Sequence, residues 1–131
     1  MLNARFIIEI AGYPKEHIEE TMKEVIKKLR NERKVLNYKI FEAEKKEKLF
    51  STFSEVEIEI KDFDELVGVC FDYLPSSIEV LKPDKFNLES KDFENFVNDL
   101  LAKLHQYDMV IKNLKAHNML LNKKLGTSGA T

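Results

Sequence analysis

A single cysteine in 131 residues excludes an intrachain disulfide and, within one chain, any thiolate cluster for zinc. Cys70 lies among Val67, Val69, Phe71 and Leu74. It reads as a small core residue, because no neighbouring Lys, Arg or His is there to lower its pKa. Glycine is also scarce: four in the chain, two of them in the closing Gly126–Thr131, which argues against a loop that cradles phosphate. No uninterrupted apolar run approaches the roughly 20 residues of a membrane span. Met1–Ile10 is broken by Arg5 and Glu9 and lacks a small-residue cleavage site, so it does not read as a signal peptide. The cytoplasm is the expected location, with no membrane partner.

Catalytic constellations are missing too. His17, His105 and His117 are far apart, and none stands four residues from another as a helical metal pair requires. Solvated histidines are the expectation. Ser76 and Ser77 follow Pro75 without a glycine-flanked elbow, and no base and orienting group are marked beside them. The ingredient in supply is carboxylate: Glu55, Glu57 and Glu59 alternate along one stretch, and Glu9 and Glu79 are placed to join them from other strands. Such a row has oxygen ligands for a divalent cation, but a solvated anionic sheet face is the simpler reading. No catalytic residue, metal or cofactor is expected, and an enzyme is not.

The chain is organised around Ser90–Leu125, five heptads without Gly or Pro. Phe93, Leu100, Tyr107, Leu114 and Leu121 fall at d; Val97, Leu104, Ile111, Asn118 and Leu125 fall at a. Branched aliphatics at a, Leu at most d positions and one Asn at a form the pattern of a two-stranded parallel coiled coil. Asn118 at a pairs with its own copy only when two chains align in parallel and in register. The alternative is an Asn on a frayed, solvated helix end. A contact from Lys103 at g to Asp108 at e of another chain favours the same pairing. Phe96 and Leu101 widen the stripe near its start, as expected if the first turns pack on the preceding domain. Met109, Val110, Met119 and Leu120 lie off the seam and leave room for a trimer, an antiparallel pair or a second partner. The candidate interface is therefore Val97, Leu100, Leu104, Tyr107, Ile111, Leu114, Asn118, Leu121 and Leu125, with a homodimer or another helical protein as partner.

The preceding residues alternate between strand and helix periods. Arg5–Ala11 places Phe6, Ile8 and Ile10 on one face, and Gly12-Tyr13-Pro14 ends that strand. From Pro14 to about Asn31, Ile18, Met22, Val25, Ile26 and Leu29 form one helical stripe. Acidic residues early and basic ones late match the helix dipole. Val35–Glu44 is a second strand with apolar residues on both faces, and the charged Glu42–Lys48 reads as an exposed hairpin tip. Leu49–Ile60 is a third strand, inward at Val56, Ile58 and Ile60. Asp62 followed by Glu65 signals a capped helix start, and that helix ends at Pro75. Ile78–Leu81 is a short fourth strand, closed by Pro83. Residues 84–89 connect to the long helix, which Ser90 can cap. The closing 126–131 segment reads as a helix stop followed by a disordered tail or a non-native appendage.

This order, strand-helix-strand-strand-helix-strand over residues 4–83, resembles the ferredoxin-like split βαβ arrangement. The expected fold is thus α+β: a domain at 1–83 with a four-stranded antiparallel sheet and two helices on one face, then a coiled-coil-like helix at 90–125. The resemblance carries little about function, because that fold hosts sensing, RNA-binding and catalytic members. The RNA-binding form stacks bases on aromatics beside Lys, Arg and Gly. Lys48-Leu49-Phe50-Ser51-Thr52-Phe53 is the nearest stretch and lacks the glycine, and the carboxylates after it repel phosphate. Residues 102–125 carry five lysines against Asp108, net +4, so the rest of the chain carries −6. Nucleic-acid association through that basic stretch ranks third. An interaction or scaffolding protein ranks first, and a small-molecule-sensing module of the ACT-like kind, compatible with Gly12-Tyr13-Pro14, ranks second.

Overall fold

The computed structural model describes residues 1–129, with side chains through Gly126. The elements are β1 (Leu2–Gly12), α1 (Lys15–Glu32), β2 (Lys34–Ile40), β3 (Glu44–Lys46), β4 (Leu49–Ile60), α2 (Phe63–Tyr73), β5 (Ser77–Lys82) and α3 (Ser90–Gly129). They divide into two compact units, Met1–Asn87 and the segment from Leu88 onward.

The first unit is an α+β body with one antiparallel sheet in the order β2-β4-β1-β5, β3 pairing with β4 beyond the end of β2. β1 and β4 form its centre, and their register runs from Leu2 opposite Ile60 to Gly12 opposite Phe50. The alternation seen in the sequence is the pleat itself. Leu2, Ala4, Phe6 and Ile8 face the same side as Val56, Ile58 and Ile60, and α1 lays Met22, Ile26 and Leu29 on them. Val69 of α2 joins the same cluster, so both helices lie on one face. At the end of β1, Gly12 lets α1 come close, since a β-carbon there would stand 3.0 Å from Ile18 Cγ2.

Two details correct the expected four-stranded sheet. The charged stretch assigned to a hairpin tip contains a fifth strand: Glu44, Lys45 and Lys46 pair with Ser51, Phe50 and Leu49. Its turn is Glu47-Lys48, where Glu47 takes a left-handed φ of 55°, which costs a non-glycine residue roughly 1 kcal/mol or more. The chain reaches β3 through a break at Phe41–Ala43, which side chains hold in place. Thr52 Oγ1 donates to the Phe41 carbonyl at 2.6 Å, and the Ala43 N–H donates to Glu19 of α1 at 3.1 Å. The second detail is a register shift between Val35 and Asn37. One extra residue there changes which parity points inward. Val35 and Ile40 both pack on the core, while Leu36 and Tyr38 stay exposed.

Asp62 caps α2 as expected, accepting from the Glu65 N–H at 2.9 Å while Glu65 Oε1 accepts from the Lys61 N–H at 2.9 Å. The ends of α1 and α2 are clasped. Arg33 reaches Asp72 at 3.3 Å and Glu65 at 3.8 Å, and the Tyr73 hydroxyl donates to Glu32.

The second unit is α3. It runs from Ser90 to Gly129, so the helix continues through Gly126 instead of stopping at Leu125. Of the expected tail, Ala130 and Thr131 lie outside the described residues. Among the described residues, no helix is long and apolar enough to cross a membrane.

Candidate interaction surface

Among the described residues, no buried hydrophobic residue lies beyond Val69, and the core cluster is built from the body's own side chains. The large apolar residues of α3 are mostly left in water. Leu104, Tyr107, Ile111, Leu114, Leu121 and Leu125 are all exposed, Leu114 at 58% and Leu125 at 69%. Val97 and Leu100 are half-buried, and Asn118 is exposed. An α-helix turns 100° per residue, so residues repeating in sevens drift only slowly around its surface. The nine candidate residues therefore fall along one side of the rod.

A second stripe runs down the other side. Ala102, Met109, Ala116 and Leu120 recur at spacings of seven, seven and four, and Met109 and Leu120 are exposed. Val110 and Met119 flank the two stripes and are exposed as well. Charge along α3 is polarised. Its first part, to Ala102, carries Lys91 against Asp92, Glu94 and Asp99, and beyond Lys112 there are only lysines. Asp108, the carboxylate between these stretches, is bound to Lys112 one turn on, at 2.8 Å.

On the body, the sheet face away from α1 and α2 carries the expected carboxylates, but cations and hydroxyls separate them. Arg5 pairs with Glu79 at 3.0 Å, Lys34 with Glu59, and Ser51 Oγ donates to Glu9 at 2.9 Å. Among the described residues, no group of three or more His, Cys, Asp or Glu is arranged to hold a metal ion. The same face holds a feature the sequence reading missed. Phe41 and Phe53 stack with ring centroids 4.3 Å apart, and the Lys39 ammonium lies 4.6 Å from the Phe41 ring. Their signal was the parity shift after Val35, which brings Lys39 and Phe41 to the side of Phe53.

A second missed feature is a cleft of about 550 Å³ where the end of β1 meets the β3–β4 turn, lined by Tyr13, Pro14, Lys15, Lys45, Lys48 and Phe50 with Glu16 and Glu47. The Tyr13 and Phe50 rings are 6.3 Å apart. Lys15 at its rim donates to Glu42 at 2.7 Å. That bond raises the Lys15 pKa and lowers that of Glu42. The β3 pairing sets Lys45 opposite Phe50, and the β1–β4 pairing sets Phe50, with Lys48 two residues before it, opposite Gly12.

His17, His105 and His117 are exposed on α1 and α3. Cys70 is half-buried on α2, and burial pushes its thiol pKa up, away from the reactive thiolate.

The model of the MJ0538 family matches residues 3–125 of the chain. No curated protein and no solved structure matches it.

Proposed function

The chain belongs to the MJ0538 family, whose match extends over the body and along α3 to the last seam residue, and we propose that it is a non-enzymatic interaction protein that associates with its own copy through α3. The carrying observation is a helix whose seam leaves Leu104, Tyr107, Ile111, Leu114, Leu121 and Leu125 exposed, while the body has a buried core of its own. An isolated helix in water is held by little beyond its own propensity, and most helical stability in proteins comes from packing an apolar face. Covering that face with a second copy removes the exposed leucines from water and holds the helix straight. In this reading the body follows the ferredoxin-like split βαβ plan. The four longer strands have the order β2-β4-β1-β5, and β3 is a continuation of the β2 edge past the Phe41–Ala43 break. The protein acts in the cytoplasm, its two helix seams buried on each other.

Amide hydrogen exchange tests the proposal. Residues 97–125 should exchange slowly at tens of micromolar and faster on dilution, while the β1 and β4 amides stay equally protected at both concentrations. Fast exchange along α3 at every concentration contradicts it.

A second reading is favoured by the cleft, in which the Gly12-Tyr13-Pro14 turn contributes Tyr13 and Pro14 to a concave surface with three lysines. A small-molecule sensor of the ACT-like kind would use such a site. A thermal-shift panel of amino acids, nucleotides and divalent ions discriminates: a shift that Lys48→Ala abolishes supports sensing, and no shift with any of them leaves scaffolding.

A further inference from the structure

We infer that the second copy lies antiparallel on α3, with the acidic start of one helix along the basic end of the other. This rests on the self-association proposed above and adds its direction. Ser90–Ala102 has net charge −2, from Lys91 against Asp92, Glu94 and Asp99, whereas Lys103–Leu125 has net charge +4, from five lysines against Asp108. Parallel pairing sets Lys112, Lys115, Lys123 and Lys124 of one copy beside the same four of the other, with no carboxylate from residue 112 to residue 125 in either. Antiparallel pairing centred on residue 109 sets Lys123 and Lys124 beside the segment that holds Glu94 and Asp99, while Lys112 and Lys115 come opposite Gln106 and Lys103.

The seam accommodates this direction. With the helices centred on residue 109, every a position meets a d position: Val97 lies opposite Leu121, and Leu104 opposite Leu114. The whole length from Phe93 to Leu125 is then used. The helix dipoles also oppose one another in this arrangement, which is favourable.

Two features of the chain point to parallel pairing, and neither outweighs the charge. The contact from Lys103 to Asp108 of another copy must compete with Lys112, which already holds Asp108 at 2.8 Å within its own helix. Asn118 loses its twin and faces Leu100, which forgoes one amide pairing per dimer. The second stripe of Ala102, Met109, Ala116 and Leu120 lies away from this contact in either direction and does not bias it.

Cysteine cross-linking in the full chain decides the direction. In a Cys70→Ala background, Val97→Cys and Leu121→Cys chains are prepared separately, mixed, and oxidised at a concentration where sedimentation shows a dimer. Antiparallel pairing yields the mixed 97–121 disulfide as the main product and little disulfide from either chain alone. Disulfides of each chain with itself, and none between them, overturn the direction while leaving self-association intact. A monomer by sedimentation overturns both. The cysteines disturb the seam, so a second measurement leaves it untouched. Lys123→Glu with Lys124→Glu, the two lysines that face the acidic segment, should weaken the dimer by about three- to tenfold at low salt, and the wild-type dimer should weaken as sodium chloride is raised. A tighter dimer with the glutamates, or with salt, overturns the antiparallel arrangement.

Discussion

Leu114→Ala is the sharpest single perturbation of the seam. Leu114 stands at a d position near the middle of α3 and is 58% exposed. Fully burying a leucine side chain is worth about 1.5–3 kcal/mol, so covering the exposed share is worth about 0.9–1.7 kcal/mol per copy by the same scale. A dimer loses that twice. Alanine keeps its own methyl, which leaves a loss of about 1.5–3 kcal/mol for the pair. At about 1.4 kcal/mol per tenfold change, the dissociation constant should rise by roughly ten- to a hundredfold. Alanine is the best helix former, so far-UV circular dichroism at high concentration should not report a lost helix. Sedimentation velocity over a dilution series reads the constant directly, with Asn113→Ala, off the seam, as the control that changes nothing. Equal constants for wild type, Leu114→Ala and Asn113→Ala, with unchanged spectra, refute the idea that this edge of the rod is what a second copy covers.

Three further outcomes concern the body. Asp62→Ala removes the cap on the Glu65 N–H and should cost about 1 kcal/mol in urea denaturation, with dimerisation unaffected. Ser54 Oγ is buried without a partner, so Ser54→Ala takes an unsatisfied hydroxyl out of the core and should leave stability unchanged or raise it by about 1 kcal/mol; a clear loss contradicts the assignment. Burial, reinforced by the hydrogen bond to Glu32, pushes the Tyr73 phenol above its ordinary range. The folded state therefore favours the neutral form. That contribution is complete below the unfolded value of about 10 and is lost as pH climbs past it. Chemical denaturation from pH 8 to 11 should show falling stability whose slope is shallower in Tyr73→Phe.

Much of this architecture could be read from side-chain periods alone. Val56, Ile58 and Ile60 against Glu55, Glu57 and Glu59 state a half-buried strand, and the strand is there with those residues inward. Asp62 and Glu65 state a helix start, and both hydrogen bonds of the capping box are made. What could not be read depends on partners distant in the chain. A local pattern for Glu44–Lys46 is only a run of charge; it becomes a strand because β4 extends beyond β2 and offers Leu49–Ser51 as an edge. The apolar residues on both sides of β2 look ambiguous because a single extra residue after Val35 reverses the inward parity. Gly126 looks like a stop, yet the helix passes it: glycine costs a helix about 1 kcal/mol without forbidding it. On α3 the seam was legible because seven-residue spacing is a local property. The Tyr13–Phe50 cleft was not, because it is assembled by strand pairing.

Sedimentation equilibrium of the unmodified chain at tens of micromolar bears most directly on the proposal that α3 is covered by its own kind. A mass of twice the 15.3 kDa chain, falling toward the single-chain value on dilution, is the predicted result. A single-chain mass across the whole range contradicts it.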